Sequence, residues 1–475
     1  MAGGWEHPGS AGKKACGIGL KAGATPDVEG VCGLPGCGLM SDMQTISRRT
    51  LLGSALGAAG LRAGAATSPG KTRAHPLEGI GRENIKITDL KVTPASCELK
   101  DKSWLTGRQL IWKADAVLVE VFTDKGIVGI GESSPYGGPE LIKKFVEENI
   151  RPGLIGKNPF DVEHLTGCWS RSQRGGQVSW AGVDAALWDI IGKAKNKPVY
   201  ELLATEGKPN PHIRMYASGG VEYAWYKRPE DLIDEAVRHK ENGYTAFKFR
   251  IGTEWKPSGM TVKKYIPYLY KLRQAVGPKF DLMQEINMRL SLAEVLELCP
   301  VLEELKFLWL EEPINQRAEG ALEGHLKIKQ ALPAVRVSGG EQLATRTEFK
   351  EWIDRGAYDI VQPDCNSAGL TETWHIARIA HLKGKICCPH NWHGGLTTLA
   401  NAALVAGIPN HLMLELNQTF NPLKEEVFKE PLVVRKGYMD LPRKPGFGVE
   451  VIPNLAQKFP YLPGTYWKPN PELPG

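Results

Sequence analysis

Apolar positions in the second half of the chain fall into short runs with a period of two, separated by longer stretches with a period near that of a helix. The runs are IRMYASG (213–219), AFKFRIG (246–252), FDLMQEIN (280–287), FLWLEEP (307–313), VRVSGGE (335–341), YDIVQPD (358–364), KICCPH (385–390) and HLMLEL (411–416). Each reads as a strand. The stretches between them, such as PEDLIDEAVRHKENG, TVKKYIPYLYKLRQAVG, SLAEVLELCPVLEEL and GLTETWHIARIAHLKG, read as helices. Several open on Ser, Thr, Pro or Asp and close on Gly, as capped helices do. Eight strands with about seven helices between them predict an α/β fold, a (β/α)8-type TIM barrel over 206–418. A doubly wound open sheet is the alternative architecture.

The polar positions sit at one end of these strands. The second strand ends in Lys248 and Arg250, the third in Glu285 and Asn287, and the fourth in Glu311 and Glu312. The fifth ends in Glu341, the sixth in Asp364, the seventh in His390 and the eighth in Glu415. In a barrel of this kind the C-terminal strand ends build the active site. Within AFKFRIG, alternation puts Lys248 and Arg250 on one face and Phe247 and Phe249 on the other. Two like charges on a buried face need an anion opposite them.

Composition changes this picture little. A length of 475 residues leaves room for two domains, and 42% hydrophobic with 24% charged residues is ordinary for a soluble globular chain. The net charge of +6 is scattered, with no basic stripe for nucleic acid. Nine cysteines contain no C-x-x-C pair, so they read as small buried thiols rather than a zinc ribbon or a redox motif. No H-E-x-x-H, G-x-S-x-G or Walker loop is present, and GIVGIGE (126–132) is too loosely spaced for a dinucleotide fingerprint.

The first 83 residues read as a leader. Residues 1–42 are rich in Gly, Ala and Ser, and Met43 offers a natural second start. From there Ser47-Arg48-Arg49, a short apolar run from Thr50 to Leu61 and Ala63-Gly64-Ala65 follow in the order of a cleavable secretory signal of the twin-arginine type. The expectation is a periplasmic protein, with the cytoplasm as alternative, and no stable membrane insertion.

The motifs together resemble the enolase superfamily, and within it the mandelate racemase-like group that includes acid-sugar dehydratases. The marks are Lys248-x-Arg250, Glu285-Ile286-Asn287, WLEEP (309–313), SGGEQ (338–342), VQPD (361–364), CPHNWHGG (388–395) and Glu415 in MLELNQTFNPL. AGVDAALWDIIGKAKNKPVYELL (181–203) resembles the segment joining the family's two domains, and GIVGIGE an edge of its N-terminal sheet. The resemblance implies an α+β capping domain over the barrel, built from 84–205 and completed by a tail at 419–475. It implies Mg2+ held by Glu285, Glu311 and Glu341, a set of hard oxygen donors. Lys248, Arg250, Asp364, His390 and Glu415 then serve catalysis. Asn287, His393, Trp104, Arg108 and Tyr136 are the candidate substrate contacts. The anion opposite Lys248 and Arg250 would be the substrate carboxylate and the enediolate formed from it.

One departure from the family pattern guides the choice of reaction. Arg250 stands where the group carries a second Lys, and arginine does not give up its proton in proteins. Racemisation needs a base on each face; elimination of water needs only one. The expected activity is therefore dehydration of a sugar acid to a 2-keto-3-deoxy acid. Racemase, epimerase or cycloisomerase action on a carboxylate is the alternative, and a silent binding protein the third reading. The expected partners are a small carboxylate substrate and further copies of the chain.

Overall fold

The computed structural model describes residues 72–169, 174–221 and 223–473, all within the unit Thr67–Gly475. The signal read at Ser47-Arg48-Arg49, the cleavage site after it, and Cys16, Cys32 and Cys37 lie outside the described residues. Part of the expected leader is folded. Arg73 donates through Nη2 to the carbonyls of Leu202 and Ala204, each at 2.9 Å, so the chain is anchored from this point rather than from residue 84.

The capping domain is built on three antiparallel strands, β1 (Ile87–Glu98), β4 (Lys113–Thr123) and β5 (Val128–Ser133), in the order β1–β4–β5. A short hairpin, β2 (Trp104–Thr106) and β3 (Gln109–Ile111), lies between β1 and β4 in the chain. GIVGIGE contributes the edge strand β5, and its glycines have a packing reason. The helix Arg174–Ala194 crosses so close that a Cβ at Gly129 would stand 2.1 Å from the Ala186 carbonyl oxygen, and one at Gly131 2.0 Å from that of Gly182.

The barrel strands are β6 (His212–Gly219), β7 (Ala246–Arg250), β8 (Asp281–Glu285), β9 (Trp309–Glu311), β10 (Arg336–Gly339), β11 (Ile360–Val361), β12 (Ile386–Cys387) and β13 (Leu414–Asn417). All pair in parallel in chain order. β13 returns to β6, and a bridge between Cys387 and His411 closes the ring. Longer helices, from Asp231–Glu241 to Gly395–Gly407, separate successive strands. Ser291 and Thr345 begin two of them with capping boxes.

The period of two in the strands sorts two cores. Tyr216, Ala246, Met283, Trp309, Ile360, Cys388 and Met413 pack inside the barrel. Phe247 and Phe249 belong to the larger core, where the helices also pack. Lys248 and Arg250 therefore share the inner side with Ala246. The tail divides its work. β14 (Val434–Arg435) and β15 (Tyr438–Asp440) form a hairpin that pairs with the start of β6, whereas β16 (Trp467–Pro469) joins β3 of the cap.

Among the described residues no helix is long and apolar enough to cross a membrane. Cys299, Cys365, Cys387 and Cys388 are buried and unpaired; Cys97 is half-buried and Cys168 exposed.

Candidate active site

Strand register brings the charged ends together. Arg250 stands beside Glu285 across the β7–β8 ladder, and Glu285 beside Glu311 across β8–β9. Glu341, Asp364 and His390 lie just past the ends of β10, β11 and β12, on the loops that leave the barrel. Carboxylate oxygens of Glu285, Glu311 and Glu341 lie within 4.8 Å of one another. Three acidic groups this close and mostly buried repel unless a cation joins them, and an all-oxygen set suits a hard divalent ion such as Mg2+. Burial and the nearby Glu285 carboxylate push the Glu311 carboxyl up, against the pull of Lys248. Glu312 is buried outside this group, with burial and Glu341 raising its carboxyl.

Lys248 corrects one expectation. The anions around it belong to the protein. Its Nζ bonds Glu311, lies 2.9 Å from Glu415 Oε1 and 3.5 Å from Glu285 Oε2. Burial opposes its charge, but Glu311, Glu415 and Glu285 outweigh it and hold the ammonium well above the ordinary lysine value. Glu415 is likewise committed. It accepts from Ser218 Oγ at 2.6 Å and from the Asn391 amide at 2.8 Å, and these with Lys248 and His390 keep it ionised although burial opposes this. It belongs to the floor beneath the cavity, not to its lining.

Above this floor a cavity of about 640 Å³ opens between barrel and cap. Its wall includes Arg250, Asn287, Glu341, Asp364, His390 and His393 from the barrel, with Trp104 and Tyr136 from the cap. Arg108 does not reach it. It is exposed in the two-residue turn between β2 and β3, where a hairpin tip faces solvent. Trp392, which sequence reasoning missed, lies under the Arg250 guanidinium at 4.0 Å, edge-on to Trp104 at 5.7 Å. Its carbonyl accepts from Tyr136 Oη at 3.0 Å. The signal was present in CPHNWHGG, where an aromatic stands between two histidines. Gln362 was missed too; its Nε2 donates to Glu311 Oε2 at 2.6 Å and orients that carboxylate.

Asp364 organises the other side. Its Oδ1 accepts from the Asn366 amide at 2.8 Å. Its Oδ2 is shared by His390 Nδ1 at 2.8 Å and His393 Nε2 at 2.6 Å. Burial opposes ionisation of Asp364, but the two imidazoles outweigh it and hold the carboxyl well below the usual range. His390 Nε2 lies 3.0 Å from Glu341 Oε2. Burial works against its charge, yet Glu341, Glu415 and Asp364 raise it to about 10.

The fold has known counterparts. Residues 231–455 match the enolase C-terminal domain-like family, and residues 98–204 match the mandelate racemase / muconate lactonizing enzyme N-terminal domain. The chain belongs to the mandelate racemase / muconate lactonizing enzyme family of the enolase superfamily. An arabinonate dehydratase of Saccharolobus solfataricus is 29% identical over 73% of this chain and 90% of its own length. A D-galactarolactone cycloisomerase of Agrobacterium fabrum is 29% identical over 72% of this chain and 90% of its own length. The crystal structure of an enolase superfamily member from Polaromonas sp. JS666 superposes with a TM-score of 0.71 at 30% identity, over 80% of this chain and 98% of that one.

Proposed function

We propose that the protein removes the proton α to the carboxylate of a sugar acid and expels the β-hydroxyl, giving a 2-keto-3-deoxy acid. The observation that carries this reading is the asymmetry of the site. On one side His390 is fixed by Asp364 through Nδ1, and the Glu341 carboxylate that faces its Nε2 and holds the ring charged is one that Mg2+ would engage, which would leave Nε2 to take a proton. On the other side stand two groups that keep theirs: Lys248, held among three carboxylates, and Arg250, a guanidinium stacked on Trp392. One basic side suits elimination and starves racemisation.

Glu285, Glu311 and Glu341 are the residues that would hold Mg2+. When bound, the ion supplies positive charge beside the substrate carboxylate and lowers the cost of the enediolate by several kcal/mol. The chain's own residues do the rest. Arg250 forks onto a substrate oxygen, the cap segment around Trp104 and Tyr136 shields the cavity from water, and Gln362 keeps Glu311 in place. The arabinonate dehydratase among its relatives supports the substrate class.

The test is 2-keto acid formation from a panel of sugar acids by the protein beginning near Ala66. Activity should vanish with a chelator and return with Mg2+. Proton exchange at the α-carbon without keto acid would instead favour racemisation or epimerisation, and neither exchange nor keto acid would leave the cycloisomerase reading, the reaction named for the Agrobacterium relative. Export is part of the proposal. Ser47-Arg48-Arg49 and the A-x-A site support it, and replacing both arginines by lysine should keep the precursor in the cytoplasm if the signal is read.

A further inference from the structure

β-Elimination of water moves more than one proton. The α-carbon loses one, the departing oxygen gains one, and the enol that remains must lose its hydroxyl proton as the neighbouring carbon gains one. A single base at His390 leaves the departing oxygen without its own donor at the moment the C–O bond breaks.

His393 offers a second group. Its ring is 5% exposed overall, and it belongs to the cavity wall. Its Nε2 is committed to Asp364 Oδ2 at 2.6 Å, on the same oxygen that holds His390. Its Nδ1 is buried with no hydrogen-bond partner in the protein. Leaving a buried ring nitrogen unpaired is costly, so a nitrogen left that way in a cavity wall marks a place for a ligand group. The two imidazole rings stand 5.8 Å apart and at 82° to each other, near enough to serve adjacent carbons of one substrate. The loop that carries His393 is clamped from the cap: the Gly394 and Thr397 amides donate to Glu132, each at 3.1 Å. Tyr136 packs its ring 5.2 Å from the imidazole. His393 is thus held from both sides with one nitrogen free.

We propose that His393 Nδ1 is the acid that protonates the leaving hydroxyl. The inference rests on the dehydratase reading above. The protons balance in a closed cycle. His390 Nε2 takes the proton from C2, and the C–H electrons pass into the enediolate. As the C3–O bond breaks, those electrons form the C2–C3 double bond, and the departing oxygen receives the proton from His393 Nδ1 and leaves as water. In the second half the enol hydroxyl returns a proton to His393 Nδ1 while the double bond takes the proton carried by His390 at C3. Both histidines are then restored and no outside acid or base is consumed. Asp364 anchors both rings throughout.

The test uses the Mg2+-loaded full chain with His393→Asn and His393→Gln, in D2O, on whichever sugar acid the unmodified protein dehydrates. Two readouts are followed: deuterium entering C2 and 2-keto acid forming. The expected result is that C2 exchange survives within a fewfold, because His390 is intact, while keto acid formation falls about a hundredfold or more. A second substrate sharpens this. The 3-deoxy-3-fluoro analogue loses fluoride, which needs no proton, so both variants should eliminate it at close to the unmodified rate. Surviving exchange also reports that the variant is folded. Dehydration at the unmodified rate in both variants would overturn the proposal. So would equal loss of exchange, hydroxyl elimination and fluoride elimination, which would make His393 a support for Asp364 alone. Neither exchange nor keto acid from the unmodified protein would bring down the dehydratase reading itself.

Discussion

Among the described residues, two places hang a pair of histidines on one carboxylate oxygen, and they differ in everything except that geometry. At the barrel mouth Asp364 Oδ2 takes His390 at 2.8 Å and His393 at 2.6 Å. On the flank Glu163 Oε1 takes His75 at 2.7 Å and His375 at 2.8 Å. The flank cluster is half exposed, and the outer nitrogen of His75 is already used: the Leu77 amide donates to its Nδ1 at 3.1 Å. That bond assigns the neutral His75 ring its proton on Nε2, where it is spent on Glu163. The mouth cluster is buried; His390 Nε2 faces Glu341, and His393, part of the cavity wall, keeps a buried Nδ1 without a protein partner. Shared geometry therefore does not make a site. The difference is burial: the mouth keeps its unpartnered nitrogen in a low-dielectric place, where a substrate can use it. The flank cluster instead fastens residues 72–83 to the body, beside the anchor of Arg73 on Leu202 and Ala204.

The comparison breaks most visibly in rate. Asp364→Asn removes the anion that sets both tautomers, and turnover should fall about a hundred- to ten-thousandfold while the thermal midpoint moves little; a steady-state assay and a melting curve on the same sample check this. Glu163→Gln should leave turnover unchanged. The next effect is on stability beneath the mouth. Lys248→Met leaves Glu285, Glu311 and Glu415 buried without their counter-charge and should cost about 3–5 kcal/mol in denaturant unfolding measured without metal. The smallest effect lies on the flank and depends on pH. Burial opposes ionisation of Glu163, but hydrogen bonds from His375 and His75 outweigh it and lower the carboxyl from 4.5 to about 2. The folded value lies below the unfolded one, so the stabilisation is complete above pH 4.5 and is lost as pH falls towards 2. Its side chain is 35% exposed. Allowing for solvent screening, Glu163→Gln should cost about 1–2 kcal/mol at neutral pH, and the gap to the unmodified protein should close on acidification through that window. A gap independent of pH would mean that Glu163 stabilises by packing.

Much of this was legible from the chain because a barrel strand has a simple period. Alternation in AFKFRIG separates Lys248 and Arg250 from Phe247 and Phe249, and the strand ends single out Glu285, Glu311, Glu341, Asp364 and His390. What the period could not carry is convergence across the ring. That Glu311, Glu415 and Glu285 enclose Lys248 follows from three strands meeting around one point, which no spacing along a single strand encodes. Trp392 beneath Arg250 joins residues from opposite sides of the ring in the same way. Arg108, expected at the substrate, stands at a hairpin tip instead, because a charged residue in a cap loop serves a turn as readily as a ligand contact. GIVGIGE was rightly set aside as a nucleotide loop, but the reason for its glycines, a helix lying on the strand, became visible only in the packing.

The most direct test of the account is deuterium incorporation at the α-carbon of a sugar acid in D2O with Mg2+, in the unmodified protein and in His390→Asn. The account predicts exchange accompanied by keto acid in the first and neither in the second. Exchange that persists in His390→Asn would place the base elsewhere and contradict the assignment of the Asp364-bound imidazole as the group that begins the reaction.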